Sequence, residues 1–459
     1  MGKRNRERRA AKQRARQRQQ SGKQWGSAQQ RRSDWPGGPF AGGGHEWSEA
    51  GHERAGNASS LAFELAAAQL LSAAEAHARG DAAAVPRCAA DLVHGRLGAH
   101  PRWVDAAADL VVRRTVRVAS EAGWLPVDLY QATWRRLDPV AAAYVVDAIA
   151  GVSEEQGEAA LDALWCAQLD EVDAQRWWSP DRPHLPQWAL RHGSDRAEAL
   201  SLVIRVLALL SSLGPIDRVA PGRAARGGVD EKILARVRSL LAKAESTEFP
   251  DEAEALSAKA QELMSRYSLH RAMVEHDRGL GPRPTARRIW LDNPYVSAKT
   301  LLVDVVAGAN RSRAVFSSHW GFVTVLGDEV DLDIVELLST SLLVQATNAM
   351  MAAGRQFDGR GRVSRTRSFR QSFLVAYAQR IGERLAAAAQ AEVESTDQSR
   401  LLPILADRSR AVDELFSAMF PRLVHKSVSA SNAAGWGAGR AAADLARLDV
   451  LDAVESAGA

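Results

Sequence analysis

Cysteine is nearly missing from this 459-residue chain: Cys88 and Cys166 are the two it has, far apart and outside any CxxC pair. That excludes a disulfide framework and a cysteine-based zinc cluster, and it fits a reducing compartment. Long apolar runs are scarce as well. The longest, Leu200 to Leu213, is interrupted by Arg205 and by serines, so no membrane span is expected. The N-terminus is charged and lacks the apolar segment of a secretory signal. A cytoplasmic location without a membrane partner is the expectation. Catalytic fingerprints are missing too. There is no GxSxG, no HExxH, no GxxxxGK[ST] and no dinucleotide-binding glycine pattern. The sequence therefore names no catalytic residue, no metal and no cofactor. Repeats at solenoid periods are also lacking.

What is present favours helix. The chain is 46% apolar and 25% charged, the balance of a globular protein. Alanine dominates the apolar share, which favours helix while filling little volume; the 13 tryptophans supply bulk. The length calls for two or three domains.

The charge is unevenly placed. Met1 to Arg32 holds twelve Lys and Arg against the single acid Glu7, a net +11, whereas the whole chain is +4 and the remainder is therefore −7. Residues 1–58 are rich in Arg, Gln, Gly and Ser and poor in aliphatics, so they read as a disordered basic tail. Lys3, Arg4, Arg6, Arg8, Arg9, Lys12, Arg14, Arg16 and Arg18 are its candidate phosphate contacts, for DNA or RNA without sequence preference. A solubilising tail is the plainer alternative. Trp25 and Trp35 offer little for base stacking.

Residues 59–213 read as an all-helical domain. Helices are predicted to about Ala78, over Pro101 to Ala122, and as a pair over Asp128 to Leu137 and Val140 to Ile149, broken at Pro139. A long helix is predicted over Glu154 to Trp177. The three prolines of Ser179 to Gln187 predict a helix-free connector. Residues 214–228 form a linker. Residues 229–270 form a helical hairpin, with Ile233, Val237, Leu240 and Ala244 at helical spacing on one arm and Leu256, Ala260, Leu263 and Tyr267 on the other. Residues 286–459 read as a small α+β domain. Its strands are expected at Arg287 to Trp290, Ala314 to Phe316 and Phe322 to Leu326, the last two as a hairpin. Helices follow from Asp328 to Ala353, from Thr366 to Ala391 and from Ala433 to Leu448.

The hairpin carries Glu231-Lys232-Ile233, Arg236-Val237-Arg238 and Leu240 to Thr247, then Pro250 to Ala255 and Ala258 to Met264. In this order, across the turn, these stretches resemble the bacterial and phage domain-of-unknown-function family 2786. The stretches Leu326-Gly327-Asp328, Leu342 to Ala346 and Arg380 to Leu385 are similar to the region that follows the hairpin in such proteins. The resemblance implies a bacterial protein of phage descent. It implies no activity and no catalytic residues.

Several constellations have two readings. Arg370, Arg380 and Arg384 fall within the same helical arc as Phe369, Phe373, Tyr377 and Ile381, where a surface helix would segregate them. Ion pairs with Asp331, Asp333, Glu336 or Glu383 explain this best; an anion site, extended by Arg365 and Arg367, is the sharper alternative. Asp328, Glu329, Asp331, Asp333 and Glu336 suit a helix N-terminus better than a magnesium site. His270, Glu275 and His276 lack the spacing of a ligand set. Gly435 and Gly439, four apart, suit close helix packing rather than a phosphate loop. Lys232, Arg236, Arg238 and Lys243 either meet nucleic acid or pair with the acids of the second arm, and pairing is the simpler reading.

The expected fold class is mainly α: a helical N-terminal domain, a two-helix module and a small α+β C-terminal domain. The expected function is a nucleic-acid-associated accessory protein that binds phosphates through its basic tail, with catalysis less expected than binding and the protein partner unknown. A hydrolase or nuclease on the C-terminal domain is one alternative. A protein-interaction module without catalysis is the other.

Overall fold

A computed structural model describes residues 57–95, 100–157, 161–218, 232, 235–240, 243, 250–353, 367–394, 398–424, 428 and 430–444. The basic tail, most of the 214–228 linker and the loop holding Arg365 lie outside the described residues. The protein is mainly α, with one three-stranded sheet. It divides into two compact units. The first reaches Ile216 and the second begins at Asp217, with the short stretch Asp162–Leu164 counting with the second.

The first unit contains α1 (Asn57–Ala78), α2 (Ala84–Val93), α3 (Pro101–Glu121), α4 (Pro126–Arg136), α5 (Pro139–Gln156), α6 (Ala163–Glu171), α7 (His184–His192) and α8 (Arg196–Ser212). Three of these start on proline, whose fixed φ and missing N–H suit the first helical position. Pro139 thus opens α5 with Asp138 as its cap, the Asp138 carboxylate accepting from Ala141 N–H at 2.7 Å. Alanines such as Ala66, Ala107, Ala108, Ala141 and Ala142 are buried, and Trp124, Trp188 and Tyr144 fill the larger spaces between helices. The Trp124 indole N–H donates to Gly214 O at 2.9 Å. Ile216 N–H donates to Ala122 O at 2.9 Å. Gly123, with φ +97°, lies so close to the Ile216 carbonyl that no Cβ fits there.

Two expectations for this unit are corrected. No single helix spans Glu154 to Trp177: Gly157, with φ +75°, ends α5, and the short α6 follows. The proline connector is not wholly free of helix, because α7 begins at His184 and takes Pro186 into its first turn, where a backbone N–H has no helical partner to lose.

The second unit contains residues 235–240 in helix, then α9 (Pro250–Asp277), β1 (Thr285–Trp290), α10 (Val296–Ala309), β2 (Arg313–Ser317), β3 (Phe322–Gly327), α11 (Glu329–Ala353), α12 (Arg367–Glu394), α13 (Gln398–Met419) and α14 (Ala433–Asp444). The sheet order is β1-β3-β2, all antiparallel, with Ala286 opposite Leu326 and Val315 opposite Thr324. β2 and β3 form the expected hairpin, and β1 closes the other edge of β3. Alternation along β3 serves two layers. Val323 and Val325 enter the core built by α10, α11 and α12. Leu326 joins Ala286 and Val412 of α13.

The hairpin of residues 235–277 shares a core with α11: Val237, Met264 and Tyr267 pack with Val330 and Ile334. Gly435 and Gly439 of α14 lie against the backbone carbonyls of Phe369 and Phe373 on α12, closer than any Cβ allows. They perform the packing role their spacing suggested. α11 corrects the reading of apolar runs. By length and composition it is apolar enough to cross a membrane. Its charges crowd into the first turns, and Leu332, Val335, Leu338 and Leu342 belong to the core.

Candidate functional site

The first unit holds a cleft of about 260 Å³ lined by residues of α3, α5 and the proline segment that leads into α7. Its floor is formed by Asp109, Asp147 and His184, each less than a tenth exposed. Asp109 sits mid-helix on α3, and its carboxylate caps α7: it accepts from His184 N–H and, at 3.2 Å, from Leu185 N–H. Asp147, on α5, accepts from the Trp177 indole at 3.0 Å and meets His184 Nε2 at 2.9 Å. The His184 ring stacks on Tyr144 at 5.2 Å between centroids, and Trp178 lies 4.3 Å from it. His184 Nδ1 makes no hydrogen bond among the described residues.

Burial dominates the electrostatics of this floor. It pushes the Asp109 carboxyl up to about 6, against the opposing charge of His184 and the donated backbone N–H of the same residue. Burial, reinforced by Asp109 and Asp147, also raises the Tyr144 phenol well above its usual range. The rim is cationic. Arg113 is held by Glu155 at 2.8 Å, and Arg176 is paired with Glu154. Arg102 and Arg182 also line the cleft and have no carboxylate partner among the described residues; Arg102 lies over the Trp103 ring at 5.7 Å. The acid Asp181 shares the rim.

None of these residues stood out in the sequence. A signal was present nonetheless. Asp109 interrupts Ala106-Ala107-Ala108 and Leu110-Val111-Val112, and Asp147 interrupts Val145-Val146 and Ala148-Ile149. A carboxylate inside an apolar helical face must be satisfied, the same argument that drew attention to the arginines of α12.

Those arginines have partners of their own. Arg380 pairs with Glu383 at 2.8 Å and with Asp444. Arg384, almost fully buried, donates to the Ala443 and Asp444 carbonyls and so caps the end of α14. Arg370 is half-buried and has no partner among the described residues. Glu383 also binds Arg440 through both oxygens at 3.0 Å. Of the carboxylates considered for this face, Glu383 pairs with Arg380.

The acids at the start of α11 meet other arginines. Asp331 binds Arg311 at 2.7 Å and Ser268 at 2.6 Å. Asp333 and Glu336 share Arg287, at 2.7 and 2.6 Å. Arg408 of α13 bridges Glu275 of α9, at 2.6 Å, and Asp328, at 3.0 Å. Glu275 therefore serves an ion-pair network, and no group able to hold a metal occurs among the described residues. Lys232, Arg236, Arg238 and Lys243 are exposed on the first arm of the hairpin. The candidate tail contacts, Lys3 to Arg18, lie outside the described residues.

Fold and site define a mainly helical, two-unit protein with a polar-floored cleft in one unit and an arginine–carboxylate network in the other. Within the second unit, residues 232–271 match the family model described as "Protein of unknown function (DUF2786)", so the chain carries a domain of that family. No curated protein and no solved structure matches the chain.

Proposed function

We propose that the protein is a nucleic-acid-associated accessory protein whose N-terminal segment holds the phosphate backbone of DNA or RNA without reading sequence. The observation that carries this reading is the partition of charge: +11 within Met1 to Arg32, against −7 for everything after it. A balanced globular protein has no folding reason to concentrate its cations in one terminal block. Such a block displaces counterions from a polyanion. The two folded units are then cargo or effectors delivered to the nucleic acid. A cytoplasmic, phage-related bacterial setting is part of the same proposal.

The test is the salt dependence of binding to a random-sequence oligonucleotide. Contacts to about six phosphates imply a loss of roughly a thousandfold in affinity between about 50 and 200 mM salt. Deletion of Met1 to Arg32 removes most of that slope. Binding insensitive to salt, or unchanged by the deletion, overturns the proposal.

A further inference from the structure

We infer that the cleft of the first unit is a binding site for a small dianion of the phosphate-monoester class, held by Arg102 and Arg182 at the rim and met by His184 Nδ1 at the floor. Four arginines line the cleft, and they fall into two pairs. Arg113 and Arg176 are engaged by Glu155 and Glu154. Arg102 and Arg182 are exposed and without a carboxylate among the described residues. Two open guanidinium groups at one mouth match the charge of a phosphate monoester, and their fork geometry suits its oxygens.

The floor is prepared for the same charge. Both Asp109 oxygens accept from the start of α7, and both Asp147 oxygens accept from Trp177 and His184. These two carboxylates have their oxygens satisfied within the protein, and the raised Asp109 carboxyl weakens its repulsion of an anion. His184 is oriented by Asp147 through Nε2, which leaves Nδ1 as the floor's unengaged ring nitrogen. Asp181 works against an anion from the rim, so Arg182 beside it in sequence is the more exposed to competition. The volume, about 260 Å³, is below the range of drug-sized pockets and limits the ligand's body to a small ring or chain. Trp103, Tyr144 and Trp178 make an apolar body preferable to a sugar-like one.

The probe is phenyl phosphate, titrated calorimetrically into the full chain, with phenol and inorganic phosphate as partial ligands. One saturable site is expected for phenyl phosphate, weaker binding for inorganic phosphate, and none for phenol. Arg102→Ala and Arg182→Ala each remove a charge-assisted contact and weaken binding by about tenfold or more. Both side chains are exposed, so folding survives. Ala106→Phe obstructs the cleft without changing its charge and also abolishes binding. Three results overturn the inference: no saturable binding up to about 10 mM, affinity unchanged in the arginine variants, or affinity unchanged in Ala106→Phe. Binding that disappears on deleting Met1 to Arg32 belongs to the tail and equally overturns it, while leaving the nucleic-acid proposal standing.

Discussion

In the first unit the carboxylates at the cleft floor rest on backbone, indole and imidazole donors; in the second the carboxylates that open α11 rest on guanidinium groups. Asp109 is held by two backbone N–H groups, and Asp147 by an indole and an imidazole. Asp105, away from the floor, is instead paired with Arg196 at 2.8 Å. In the second unit Asp328, Asp331 and Asp333 meet Arg408, Arg311 and Arg287. An N–H donor satisfies a carboxylate without cancelling its charge, and at Asp109 burial still raises the carboxyl, so that group responds to pH or to a ligand. An arginine adds the opposite charge beside the carboxylate, although at Asp328 burial still raises the carboxyl against Arg408. The first unit is therefore the place to look for a responsive site, and the second is a charge-locked scaffold.

The largest effect expected from breaking this contrast is at Arg408. Its side chain is 11% exposed and ties Glu275 of α9 to Asp328 at the start of α11. Arg408→Ala strands Asp328, while Glu275 keeps Arg271 at 2.9 Å, for a cost of about 3 kcal/mol. Arg408→Met, which keeps much of the side chain's bulk, costs nearly as much, because the stranded Asp328 charge and not lost packing is responsible. Peptide-level hydrogen exchange should show deprotection over α9, α11 and α13, with the first unit unaltered. Uniform deprotection of both units would contradict the assignment of this network to the scaffold of the second.

Asp109 tests the other side of the contrast. Its carboxyl is raised by burial from 3.8 in the unfolded chain to about 6 in the folded protein. The folded state therefore holds a proton that the unfolded state has released between those values. Stability falls as pH rises through this window and recovers on acidification. The groups around it are His184, Asp147, Tyr144 and Arg113. The difference in unfolding free energy between wild type and Asp109→Asn should change by up to about 3 kcal/mol between about pH 7 and pH 4, in favour of wild type at the acid end. The subtraction removes the other raised carboxyls, such as Asp328 and Asp304. A pH-independent difference would mean that the two N–H donors outweigh burial.

The units also differ in the small residues that bring their helices together. Alanine dominates the first; glycine sets the closest approach in the second, where α14 lies on the α12 backbone at Gly435 and Gly439. Gly439→Ala should cost about 1–3 kcal/mol in chemical denaturation. Gly437→Ala, on the same helix but with open space around it, should be neutral or slightly stabilising. Equal effects at the two positions would show that helix propensity, not close approach, governs this helix.

These contrasts also mark what was legible in the sequence. Periodicity and turn chemistry located the β2–β3 hairpin, α11, α12 and the two packing glycines, because each depends on neighbours within a few turns. The missed details were decided by single backbone positions: Gly157 ending α5, and Pro186 fitting the first turn of α7. The cleft was illegible for a different reason. Asp109, Asp147 and His184 lie on three separate elements, and no local pattern states that they meet. The same limit applies to the arginine partners. Charge within an apolar arc announced that Arg380 and Arg384 needed satisfying, and Glu383, one turn away, was within reach of the argument. Asp444 and the Ala443 carbonyl, from a helix some sixty residues on, were not.

The smallest effect is expected where the sequence had suggested a large one. Arg380 shares its helical arc with Phe373 and Tyr377, but its side chain is 34% exposed, and its partners Glu383 and Asp444 are about half exposed. Those pairs raise its pKa through hydrogen bonds at the surface. Pairs of this kind contribute little. Removing Arg380 also leaves Glu383 bound at both oxygens by Arg440, so no carboxylate is stranded. Arg380→Ala should leave the melting temperature nearly unchanged. Arg384→Ala should lower it clearly, because that guanidinium is buried and two carbonyls at the end of α14 lose their donor. The same pair of variants separates scaffold from site. If α12 held an anion through these arginines, added oligonucleotide would raise the wild-type melting temperature in a protein lacking Met1 to Arg32, and Arg380→Ala would abolish the gain. With both guanidinium groups already engaged, no such gain is expected. Its appearance would move the second unit from the charge-locked side of the comparison to the responsive one.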